Sequence, residues 1–220
     1  MVFMALEMSS YKVYKKTFLS SVRWLFSYSA NEEGFVERFV NEMSSLSFEK
    51  SVEESKAVMM KKPGITVLAN AELVFINCAV DVYQGFEAVK TELKNILVAL
   101  NKLGVQEIKN TTCVKENLYR VDKTKVRSTV TDSQFSEILF NSNFAANPFF
   151  AETRDNIQVI ATRSFSDSIT EAKMQLLITA GLAVELPLEV VAERLQEIDK
   201  ASYDAWSFVV SEGLKRIMEG

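Results

Sequence analysis

The sequence predicts an α+β fold: a largely antiparallel sheet with helices packed on it and a long helix at the C-terminus. Three observations predict it. Met174, Leu176, Ile178, Ala180, Leu182 and Val184 place an apolar residue at every second position, the pattern of a strand with one buried face. After Pro187 the period changes, and Leu188, Val191, Leu195, Ile198, Ala205, Val209 and Ile217 follow one helical stripe. The links between the other strand-like runs are short, which favours hairpins over crossovers.

In chain order, Val22, Trp24, Phe26 and Tyr28 form one face of a half-buried strand, with a bulge or turn expected near Leu19-Ser20-Ser21. Asn31 is the expected cap of a helix with Glu32 and Glu33 in its first turn and an apolar face of Phe35, Val36, Phe39, Val40, Met43 and Leu46. Glu49 to Lys56 is charged and weakly patterned, and Ala57 to Met60 reads as a short strand. Pro63-Gly64 suits a type II turn. Ile65 to Tyr83 reads as one long central strand, with Val74, Ile76, Cys78, Val80 and Val82 on one face and Leu73 and Phe75 making the other apolar too, so cover on both sides is expected for part of its length.

A second helix follows Gly85, with Phe86, Val89, Leu93, Ile96, Leu97, Leu100 and Leu103 buried and Gly104 as the residue after its end. Val105 to Val121 is a weakly hydrophobic strand, expected at a sheet edge or with a solvated face. A short helix around Phe135, Ile138 and Leu139 leads to an Asn-rich loop over 141–148, with Phe149-Phe150 at its apolar end. Asp155-Asn156 is a turn signal before Ile157, Val159 and Ala161. Pro187 fits the first turn of the last helix, roughly 30 residues or about 45 Å long. One compact domain over 1–220 is the simplest organisation. A two-half duplication joined near 105–130 is compatible with the balance of elements, although no self-similarity marks it.

Composition narrows the chemistry. The 220 residues are 48% hydrophobic and 25% charged, within the range of soluble globular proteins. There is no His, which removes His-centred acid–base catalysis and His-based zinc sites together. Seven scattered Gly leave no phosphate-binding loop. Cys78 and Cys113 have no CxxC neighbour and read as reduced core residues, so a cytoplasmic setting is expected. No apolar run is long enough to cross a membrane, and Met1 to Ser10 lacks the pattern of a signal peptide. No metal site and no cofactor are expected.

Three functional readings follow. The first is a non-enzymatic interaction or assembly protein, working through a protein partner, a homo-oligomer or both. Phe140, Phe144, Phe149 and Phe150 crowd a polar region, and Tyr203 and Trp206 lie around the last helix, so these are the candidate anchors. An adaptor or a phage- or defence-associated factor would be of this kind. The second reading is a single-stranded nucleic-acid binder using Lys109, Lys115, Tyr119, Arg120, Lys123, Lys125 and Arg127, where cations contact phosphates and the ring stacks. A net charge of −4 weighs against it. The third is a His-independent enzyme with a carboxylate or lysine site, for which Glu72 and Asp81 are the acids that a central strand could bury.

The layout of Phe86 to Arg120 and of Ile198 to Ile217 resembles an uncharacterised, sporadically distributed bacterial protein family of about this size. That likeness is one of element order, and it implies no activity.

Overall fold

The computed structural model describes residues 18–54, 56–81, 83–121, 147–167, 172–210 and 215. β1 (Leu19–Ser27), β2 (Glu49–Glu54), β3 (Ala57–Lys62), β4 (Ile65–Ala69), β5 (Leu73–Cys78), β7 (Asn110–Val121), β8 (Asn147–Arg154), β9 (Ile157–Asp167) and β10 (Ala172–Leu182) form one nine-stranded sheet. Its order is β2-β3-β4-β5-β1-β7-β10-β9-β8, and every pair is antiparallel. The order reads alike outward from the central β1–β7 pair: the last strand of each half lies beside its first, and the meander runs on to the edge. Two-residue strands β6 (Glu107–Ile108) and β11 (Leu186–Pro187) pair separately and fix the start of the last helix.

Three helices lie on one side of this sheet. α1 (Phe35–Ser45) meets it through Phe35 against Tyr28, ring centroids 6.1 Å apart. α2 (Phe86–Lys102) meets it through Phe86 against Trp24, also at 6.1 Å. α3 (Leu188–Val209) sends the Trp206 indole N–H to the Tyr119 hydroxyl, 3.1 Å away. The alternation in β1 follows from this, since Val22, Trp24, Phe26 and Tyr28 all face the helices and are buried. Burying side chains of this size contributes about 1.5–3 kcal/mol each, so this face holds most of the fold's apolar stabilisation.

Several expectations stand as read. β1 has a register shift between Leu19 and Ser21. Gly104 adopts φ 88 after α2, a conformation that favours glycine. Asp155 and Asn156, at φ 50 and 65, form the β8–β9 turn. Other expectations are corrected. Ile65 to Tyr83 is a hairpin, because the Asn70 side-chain oxygen accepts from the backbone N–H groups of Glu72 and Leu73 and turns the chain. The Asn31 side chain accepts from Glu33 N–H in the same way, and α1 starts later, at Phe35. Asn147 to Phe150, read as the end of a loop and an apolar pair, belongs to edge strand β8. β7 lies in the middle of the sheet rather than at its edge. α3 ends at Val209, with Val210 extended. The expected helix over 131–139 lies outside the described residues.

Candidate binding surface

β7 shows how the two faces of the sheet differ. Thr111, Cys113, Lys115, Asn117 and Tyr119 point under the helices, and all five are buried. Lys115 Nζ is 2.7 Å from Asp199 Oδ1 on α3, and the Tyr83 hydroxyl donates to the same oxygen at 2.5 Å. Ser202 Oγ donates to the Asp199 carbonyl at 2.6 Å. Asp199 is 1% exposed, so the group is sealed. Burial raises the Tyr119 hydroxyl and the Cys113 thiol above their ordinary pKa ranges, although the Trp206 bond and Lys115 act against it respectively. Burial also pushes the Cys78 thiol up to about 12. Both cysteines are free and buried, and neither is suited to thiolate chemistry.

Among the described residues no element covers the opposite face. Cross-strand register sets its rows. Met59, Leu68, Phe75, Leu25, Thr112, Gly181 and Gln158 run across β3, β4, β5, β1, β7, β10 and β9. Thr66, Asn77, Arg23, Val114, Thr179 and Ile160 make the next row. Leu118 and Leu177 extend it on β7 and β10. None of these side chains belongs to the buried core cluster.

In the middle of this face sits one polar knot. Arg23 Nη2 pairs with Glu116 Oε2, and Ser21 Oγ donates to the same oxygen at 3.0 Å. Gln175 Nε2 donates to the other carboxylate oxygen at 2.6 Å, and Arg23 Nε donates to Ser21 Oγ at 3.1 Å. The central charges are therefore satisfied from within the sheet. At the margin, Glu49 lies opposite Lys61 on β2 and β3, both exposed. A protein partner can bury such an internally paired knot without orphaning a charge.

The structure disperses the candidate residues named from sequence. Lys115, Tyr119 and Trp206 are core residues. Lys109 is exposed, with its amine donating to Ser29 Oγ at 2.6 Å. Arg120 lies in β7 and Phe149 in β8, their side chains outside the description. Lys123, Lys125, Arg127, Phe140 and Phe144 lie outside the described residues. Phe150 packs on Phe208 at 5.5 Å and Tyr203 on Trp206 at 5.8 Å, at the C-terminal end of α3 and on the helical side. Glu72 and Asp81 are exposed in turns. Leu73 and Phe75 make the second side of β5 apolar, from which cover on both sides was expected; among the described residues no element covers that side. Leu25, Val114 and Leu177 share it, and the sequence alone did not bring them together.

A cleft of about 970 Å³ lies at the start of α1, lined by Glu32, Glu33, Glu37, Glu53, Glu54 and Glu72 with Lys56 among other residues. Lys56 is taken up by Glu32 at 3.1 Å. Among the described residues no group of three His, Cys, Asp or Glu side chains is placed to hold a metal ion. No helix of the described chain is long and apolar enough to cross a membrane. No family model matches this sequence, and none of the curated proteins matches it significantly.

Proposed function

We propose that this protein works by binding another protein through the open face of its sheet, as an interaction or assembly component rather than by catalysis. One observation carries the reading. Among the described residues the nine-stranded sheet has its helices on one side, and its other side sets Leu25, Phe75, Val114 and Leu177 around a self-satisfied Arg23–Glu116 pair. Phosphate binding needs cations free to meet the backbone. Here the central cation is neutralised, Lys115 is sealed beneath α3, and Tyr119 has no ring face to offer, so a protein surface fits better than nucleic acid. The interior lysine–carboxylate pair, Lys115 with Asp199, reads as a clamp that holds α3 to β7.

The test is capture from native lysate with three baits: the unaltered protein, Leu25→Glu on the open face, and Val98→Glu on the helical side, where Val98 is 55% exposed. A stoichiometric protein, a second copy included, that is lost with Leu25→Glu and kept with Val98→Glu supports the reading. Loss with Val98→Glu alone, or retention by both variants, contradicts it.

A further inference from the structure

We draw no further inference here: the strongest candidate, the acidic cleft at the start of α1 lined by Glu32, Glu33, Glu37, Glu53, Glu54 and Glu72, is a cluster of carboxylates at a helix N-terminus whose Lys56 is already paired with Glu32, and nothing in the structure points to what would occupy it.

Discussion

Lys115 and Glu116 are adjacent in the chain and both are ion-paired, yet they do opposite things. Lys115 points under α3 to Asp199, which is 1% exposed, while Glu116 points out of the sheet to Arg23, whose side chain is 32% exposed. A buried pair is intolerant of losing one partner, because the other is left as an uncompensated charge. A partly solvated pair is worth little to folding. The helical face of the sheet therefore carries stability and the open face is free to carry recognition.

That contrast can be broken at graded cost. Asp199→Ala leaves Lys115 buried without its partner and is expected to destabilise the protein by about 3–5 kcal/mol in urea unfolding. Replacing both at once, Lys115→Met with Asp199→Leu, is expected to recover most of that loss. Gly181→Ala comes next. A Cβ there would overlap the Thr111 carbonyl of the neighbouring strand, and backbone has to move, at about 1–3 kcal/mol. Tyr119→Phe removes the hydroxyl that accepts the Trp206 indole N–H in the core and is expected to cost about 1 kcal/mol by the same assay. Glu116→Gln, on the other side of the same strand, is expected to change stability by less than about 1 kcal/mol. Cys78 and Cys113 are expected to resist a thiol reagent at neutral pH until the chain unfolds, since both thiols are buried and raised.

Much of the fold was legible in the sequence because the helical face obeys simple periods. Val22, Trp24, Phe26 and Tyr28 alternate, and Leu188, Val191, Leu195 and Ile198 form a stripe, since each element has one dominant burial direction. The central position of β7 was not legible, because its buried side holds Thr111, Lys115, Asn117 and Tyr119, which look solvated until Asp199 of α3 and Tyr83 are supplied as partners. Such long-range satisfaction leaves no trace in local hydrophobicity. The candidate site was less legible for a related reason. Leu25, Phe75 and Leu177 lie far apart in sequence, and only the strand order brings them onto one surface. The Phe-rich segment drew attention because its rings are close in sequence, yet Phe150 folds onto Phe208 of α3 on the helical side.

Hydroxyl-radical footprinting of the assembled protein against the dissociated chain tests the central claim most directly, because it reads both faces in one experiment. Met59, Leu68 and Phe75 on the open face are expected to lose labelling on assembly, while Val98 on α2 labels equally in both states. Protection of Val98 with unchanged labelling of Met59, Leu68 and Phe75 would place the contact on the helical side and contradict the account.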